Sequence, residues 1–237
     1  MRFDCASRTH VGLKRKINED SIFADPDRGL LVVADGMGGH DAGEVASAMV
    51  TEAIRSLSTA AGLDGIADRA VETLRQVNGQ LIELARSGGE RRTIGTTVVG
   101  LAIAEGAFCC FWMGDSRAYR LRDGKIERLS HDHSLVQSLI DAGMLKPEDA
   151  EAHENANLIT RAVGVAENCE VDVVDGDARS GDLFLLASDG LTRLVPDHEL
   201  EAELGNGSPA ATADRLIETA LSRGAPDNVS LIIAKIL

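Results

Sequence analysis

The stretch Leu30-Leu31-Val32-Val33-Ala34-Asp35-Gly36-Met37-Gly38-Gly39-His40-Asp41-Ala42-Gly43-Glu44 leaves the backbone few choices. A short apolar run rich in β-branched residues reads as a buried strand. The run stops at a carboxylate, and glycines at 36, 38, 39 and 43 follow it. Glycine lets a backbone turn sharply and brings a carbonyl or amide close to a ligand. Asp41 then stands as the N-cap of an amphipathic helix, one face of which is marked by Val45, Met49, Val50, Ile54 and Leu57. The expected product is a carboxylate at a strand end, beside exposed backbone and a helix mouth. An Asp-Gly pair is also an ordinary turn, so the remaining chain decides its meaning.

Short strands are expected at 2–7 and 21–25, around a polar loop with the adjacent bases Lys14, Arg15 and Lys16 and the acids Glu19 and Asp20. On charge alone that loop is a solvated hairpin connection. A second helix is expected at about 64–86, because Ile66, Ala70, Leu74, Val77, Leu81 and Leu84 alternate steps of four and three; Ser87-Gly88-Gly89-Glu90 ends it. Strands at 96–104 and 107–113 meet at Glu105-Gly106, and strands at 118–121 and 126–129 flank Asp123-Gly124. Both are hairpin signals. A sheet that is at least partly antiparallel, with no G-x-G-x-x-G or Walker-type loop after any strand, argues against a doubly wound nucleotide-binding fold. Residues 130–164 are polar, hold His131, His133 and His153, and contain a short helix near 134–142. They form either a flap over a site or a plain surface excursion. A strand at 170–174, a second apolar run ending in Asp189-Gly190, helices at 197–204 and 209–223, and a strand at 229–234 complete the chain. No linker or repeat divides it, so one domain over 1–237 is expected.

Composition narrows the chemistry. A net charge of −14 argues against binding to nucleic acid or an anionic membrane. One Trp, one Tyr and five Phe leave the core to Leu, Ile, Val and Ala. Cys5, Cys109, Cys110 and Cys169 show no C-x-x-C spacing and fit reduced residues of a cytoplasmic protein. Neither a signal peptide nor a membrane span is visible.

Asp35, Asp115, Asp189 and Asp227 each sit at the edge of an apolar strand beside Gly or Pro. Carboxylates that converge at strand ends repel one another and need a cation. No His or Cys accompanies them at ligand spacing, and all-oxygen ligation points to Mg²⁺ or Mn²⁺. One carboxylate shared by two such ions would make a hydrolytic centre.

The ordered set Arg15-x-x-Asn18-Glu19-Asp20, Ala34-Asp35-Gly36-Met37-Gly38-Gly39-His40, Gly95-Thr96-Thr97, Gly114-Asp115-Ser116-Arg117, Thr160-Arg161-Ala162-Val163-Gly164, Ser188-Asp189-Gly190-Leu191 and Asp227-Asn228 spans essentially the whole chain. It resembles the metal-dependent Ser/Thr protein phosphatases of type 2C (PPM) in their stand-alone bacterial form. The resemblance implies an α+β fold, an αββα sandwich of two antiparallel sheets flanked by helix pairs, with two or three Mn²⁺ or Mg²⁺ ions at one end. Asp35 would bridge two ions, and the Gly36 carbonyl would complete one of them. Asp189 and Asp227 would bind the other, and Asp115 with Asp189 would hold a third. Glu19 and Asp20 would act through metal-bound waters, Arg15 would grip the substrate phosphate, and Thr160 and Arg161 would bear on substrate selection. Arg15 thereby turns from a solvated base into a phosphate clamp. Met37 stands where eukaryotic members carry a His proposed as general acid, and His40 is not given that role, so the acid is unassigned. The implied substrates are phosphorylated proteins, a Ser/Thr kinase or its targets, handled by a cytoplasmic monomer; some such enzymes regulate type VI secretion. The competing readings are a pseudophosphatase that only holds a partner, and a metallohydrolase acting on nucleotides or nucleic acid, which the negative charge disfavours.

Overall fold

The computed structural model describes residues 2–38, 42–57, 62–87 and 93–237. His40, the expected cap Asp41 and the helix-ending Gly88-Gly89 lie outside the described residues. In chain order the elements begin with β1 (Phe3–His10), β2 (Asp20–Asp25), β3 (Leu30–Gly38), α1 (Ala42–Arg55) and α2 (Gly62–Ser87). Next come β4 (Ile94–Thr96), β5 (Val98–Ala104), β6 (Ala107–Met113), β7 (Arg117–Arg122), β8 (Lys125–Arg128) and α3 (Leu135–Asp141). The last group is β9 (Asp172–Asp177), β10 (Leu183–Ala187), α4 (Asp189–Thr192), α5 (Asp197–Leu204), α6 (Pro209–Ser222) and β11 (Val229–Ile236).

Two antiparallel sheets result. One runs β2-β3-β5-β6-β9, with β4 also on β3; the other runs β1-β11-β10-β7-β8. Strand periodicity explains why their sequences read as unbroken apolar runs. Leu30, Val32 and Ala34 face Ala46, Val50 and Ile54 of α1 and Leu74 and Leu81 of α2, while Leu31 and Val33 face the opposite sheet. Leu185 and Ala187, with Leu231 and Ile233, meet Leu200 of α5 and Leu216 of α6, while Phe184, Leu186 and Ile232 fill the space between the sheets. A strand covered on both faces needs apolar residues at every position. Each such side chain stabilises by roughly 1.5–3 kcal/mol. The layers are helix, sheet, sheet, helix, as the resemblance implied.

Both expected hairpins form. Glu105 and Gly106 (φ 51° and 83°) close β5 on β6, and Asp123 and Gly124 (φ 52° and 78°) close β7 on β8. Both central residues are left-handed, the twist that tight antiparallel turns require.

Three expectations change. The apolar run does not end its strand at Asp35: β3 continues to Gly38 because Ile94, Gly95 and Thr96 pair with Gly38, Met37 and Gly36. The strand expected at 96–104 is divided at Thr97 into β4 and β5. A single helical turn, α4, follows Asp189 where no helix was expected. Between β8 and β9 lies the polar excursion, carrying α3, whose N-cap Ser134 accepts from the Gln137 N–H, and two isolated bridges, Ser134↔Ile159 and Thr96↔Val163. The second bridge seats the end of this segment directly behind Asp35. All four cysteines are thiols. No described helix is long and apolar enough to cross a membrane.

Candidate metal centre

Strand register brings the first acids together. Asp20 of β2 stands opposite Asp35 of β3. Asp35 is fixed by its backbone: Thr97 N–H donates to its carbonyl at 2.8 Å, Thr96 Oγ1 donates to the same carbonyl at 2.9 Å, and Thr97 Oγ1 accepts its N–H at 3.1 Å. Asp20 reaches the second sheet, where its Oδ2 accepts from Ser188 Oγ at 2.9 Å. A seryl hydroxyl thus ties the two sheets beside the centre. At Gly36 any side chain is excluded, since a Cβ there would collide with the carbonyl oxygen of Gly43 and lie 2.6 Å from that of Glu19.

The loop between β1 and β2 is held by Asn228, which is buried. Its Oδ1 accepts the Glu19 N–H at 2.8 Å, and its Nδ2 donates to the carbonyls of Val11 at 2.9 Å and Ile17 at 3.0 Å. The loop carries Arg15 to Asp227, Nη2 to Oδ2 at 2.7 Å. Asp189 opens α4, and Arg193 at its far end returns Nε to Asp189 Oδ2 at 2.9 Å and Nη2 to Asp115 Oδ2 at 3.2 Å. A cleft of about 550 Å³ results, lined by Arg15, Glu19, Asp35, Gly36, Met37, Asp189 and Asp227, with Asn157 and Ile159 from the excursion after β8. No histidine among the described residues lines it. An open groove of about 610 Å³ along α2 is built differently, with Asn78 committed to the Gly164 N–H and the Ala166 carbonyl.

The electrostatics call for cations. Burial, then the charges of Asp20, Asp189 and Asp115, push the Asp35 carboxyl well above the usual range. Burial and the charges of Asp189 and Asp227 push Asp20 up to about 7, against the Ser230 and Ser188 hydroxyls. Burial and Asp189 push Asp115 up to about 7, against Arg193. Asp20 Oδ1 is buried without a hydrogen-bond partner. These oxygen donors fit hard divalent ions, although no three carboxylates among the described residues stand as a ready-made ligand cage. Arg15 and Arg193 instead reach in among them.

Of the residues named from sequence, Arg15, Glu19, Asp35, Gly36, Asp189 and Asp227 share this cleft. Asp20 lies behind it on Asp35, and Asp115 lies to one side, reached through Arg193. Thr160 and Arg161 do not line it. The Thr160 N–H donates to the His133 carbonyl at 2.8 Å, and Arg161 Nη1 turns to Asp172 Oδ1 at 3.1 Å, near His133. Sequence reasoning assigned no task to Thr97, Ser188, Asn228 or Arg193. Thr97, Ser188 and Asn228 stand inside the quoted motifs without a role of their own, and for Arg193 the signal is its spacing of four from Asp189.

A family description, Protein phosphatase 2C, matches residues 9–227. The serine/threonine protein phosphatase PstP of Mycobacterium tuberculosis is 37% identical over 232 residues, which are 98% of this chain and 45% of PstP. The chain therefore spans less than half the length of that relative. Among solved structures, PppA, a key regulatory component of T6SS in Pseudomonas aeruginosa, superposes with a TM-score of 0.93 at 39% identity, over 100% of this chain and 99% of PppA. The catalytic domain of PstP in complex with two manganese ions superposes with a TM-score of 0.89 at 36% identity, over 98% of this chain and 97% of that one. With the match running from the end of β1 to the entrance of β11, and so over the cleft and the excursion after β8, the chain belongs to the protein phosphatase 2C family.

Proposed function

We propose that this chain is a single-domain protein serine/threonine phosphatase that hydrolyses phosphoserine and phosphothreonine with two bound Mn²⁺ or Mg²⁺ ions. The observation that carries the reading is the meeting of Asp35, Asp189 and Asp227 in one cleft with Gly36 and Arg15. Asp35 and the Gly36 carbonyl would hold one ion, and Asp35, Asp189 and Asp227 the other, with Glu19 and Asp20 as acceptors behind them. When bound, the ions supply activation of water for in-line attack and neutralise charge on the phosphoryl oxygens. Arg15 binds those oxygens through its planar fork of donors, leaving Asp227 to do so. Thr96 and Thr97 hold Asp35 in position, and Asn228 holds the Arg15 loop. A cysteine nucleophile has no support here, since none of Cys5, Cys109, Cys110 and Cys169 lines the cleft. The substrate is a phosphorylated protein, a Ser/Thr kinase or its target, met by a cytoplasmic monomer. Similarity to PppA favours one in the control of type VI secretion. Asn157 and Ile159 line the cleft, which supports a role for the segment after β8 as a substrate-selecting flap.

The test is hydrolysis of a phosphothreonine peptide by metal-stripped protein titrated with Mn²⁺, beside Asp35→Asn. Metal-dependent turnover that the variant loses is the expected result. Turnover equal in both overturns the metal assignment, and Mn²⁺ binding without turnover favours a partner-holding scaffold.

A further inference from the structure

The third-ion role that the resemblance implies for Asp115 with Asp189 meets a cation already in place. The single guanidinium of Arg193 spans the two carboxylates through different nitrogens, Nε to Asp189 at 2.9 Å and Nη2 to Asp115 at 3.2 Å. The same Nη2 lies 3.3 Å from the Ala156 carbonyl of the flap. None of this is surface pairing: the side chains of Arg193, Asp115 and Asp189 are 22%, 6% and 17% exposed. Arg193 lines both the main cleft and a neighbouring cavity of about 40 Å³ that contains Asp115. With Asp189, which also lines both, it stands between Asp115 and the main cleft. Arg117 lines the same small cavity and binds Asp132 through Nε at 3.0 Å and Nη2 at 2.7 Å. Three aspartates there already face two permanently charged guanidiniums.

A guanidinium is charged at every physiological pH and matches carboxylate geometry. Asp115 Oδ1 is buried without a hydrogen-bond partner, but an ion bound there would sit beside the Arg193 guanidinium that already bridges Asp115 Oδ2 and Asp189, a like charge in a largely buried site, which is costly. We propose that Arg193 is a built-in cation that takes the place of a third metal ion, so that the chain binds two divalent ions and ties its flap to the centre through the same side chain. This rests on the two-ion reading above. Arg193 is a positioning residue here, and its signature is ion stoichiometry.

The experiment counts Mn²⁺ bound to the metal-stripped full chain into the millimolar range, from the electron paramagnetic resonance signal of free Mn²⁺. Wild type should saturate at two ions. Arg193→Ala should gain a third, weaker site, which Arg193→Lys closes again and which the double variant Arg193→Ala/Asp115→Asn lacks. Asp115→Asn alone should still bind two. Three ions in wild type, or one fewer in Asp115→Asn than in wild type, overturns the proposal and leaves the two-ion reading standing. Arg193→Ala that is folded by circular dichroism yet stays at two ions also overturns it. If Arg193→Ala does not fold, the Asp115→Asn count decides. No ion in wild type overturns the two-ion reading together with the proposal.

Discussion

Asn228 offers the sharpest test of how the loop carrying Arg15 is held. The residue is 4% exposed, and three of its hydrogen bonds run to backbone groups of that loop, at Val11, Ile17 and Glu19. Asn228→Ala removes all three and leaves one N–H and two carbonyls without their partner. At a net value of about 1 kcal/mol for each bond, the loss is ~3 kcal/mol. For a chain of this size one kcal/mol moves Tm by roughly 2–4 °C, so a fall of about 6–12 °C is expected in thermal unfolding of the metal-stripped protein. The KM for a phosphopeptide should rise with it, because Arg15 rides on the loop. Arg15→Ala is the comparator. Its pair with Asp227 is open to solvent, with the two side chains 51% and 36% exposed, and such pairs contribute ~0–1 kcal/mol to stability. Arg15→Ala should therefore raise KM ~10–100-fold, the effect of one charge-assisted contact, while Tm stays within ~4 °C of wild type. If Asn228→Ala keeps the wild-type Tm and KM, the loop is held by something other than Asn228 and the reasoning fails.

Other expectations follow from the same contacts. Arg122 donates from Nε and Nη2 to the two oxygens of Asp182, at 2.7 and 2.6 Å, and Asp182 is only 2% exposed. Arg122→Ala should cost up to ~3 kcal/mol in urea denaturation by leaving the buried Asp182 carboxylate with only the Arg179 N–H as a hydrogen-bond partner, and Asp182→Asn in the same background should recover part of it. Burial works to raise the Asp182 carboxyl, but Arg122 and the Arg179 N–H win and hold it low. That stability is present above the unfolded carboxylate value near ~3.9 and lost as pH falls through the folded one, so Arg122→Ala should flatten the acid limb of the stability profile. Asp20 has the opposite sign. With its carboxyl at about 7 in the fold, it stabilises the metal-stripped protein at acid pH and stops doing so as pH rises through that value. The metal-stripped Tm should fall from about pH 4 to about pH 7 and level off above it, and Mn²⁺ affinity measured by calorimetry should climb over the same interval; an affinity independent of pH would count against Asp20 as part of the centre. Gly36→Ala should fold less stably and bind Mn²⁺ weakly, because its Cβ has no room beside the Gly43 and Glu19 carbonyls; unchanged calorimetric binding would mean that the backbone yields there.

The features legible in the sequence are those a single strand or turn specifies for itself. Unbroken runs such as Leu30–Ala34 announced strands buried on both faces, and Glu105-Gly106 and Asp123-Gly124 announced their own turns. The residues left without a role act across the chain. Asn228 is an ordinary polar residue until Glu19 is seen beside it, and Ser188 gains its task only when Asp20 arrives from the other sheet. Thr97 belongs to an apolar-looking segment, yet its hydroxyl and N–H are spent on Asp35. The length of β3 was misjudged because glycine is a poor strand former on local grounds, and pairing with Ile94, Gly95 and Thr96 overrides that preference. Arg161 belongs to a quoted motif, but motif membership says nothing about which way a long side chain turns, and Asp172 turns it away from the cleft.

The pairing of β1 with β11 also sets the order in which the molecule can be assembled. Their register runs from Phe3↔Ile236 to His10↔Val229, and β11 lies between β1 and β10. Until residues 229–236 have left the ribosome, β1 has no neighbour and β10 has only β7. Closing a loop of nearly the whole chain adds little to the equilibrium cost, since that term grows only with the logarithm of length, but it slows folding. Asp227 and Asn228 stand at the entrance to β11, so the last sheet contact and the last carboxylate of the proposed metal centre are brought in together. A nascent chain arrested before that point is predicted to be inert, and dephosphorylation begins only with a finished fold.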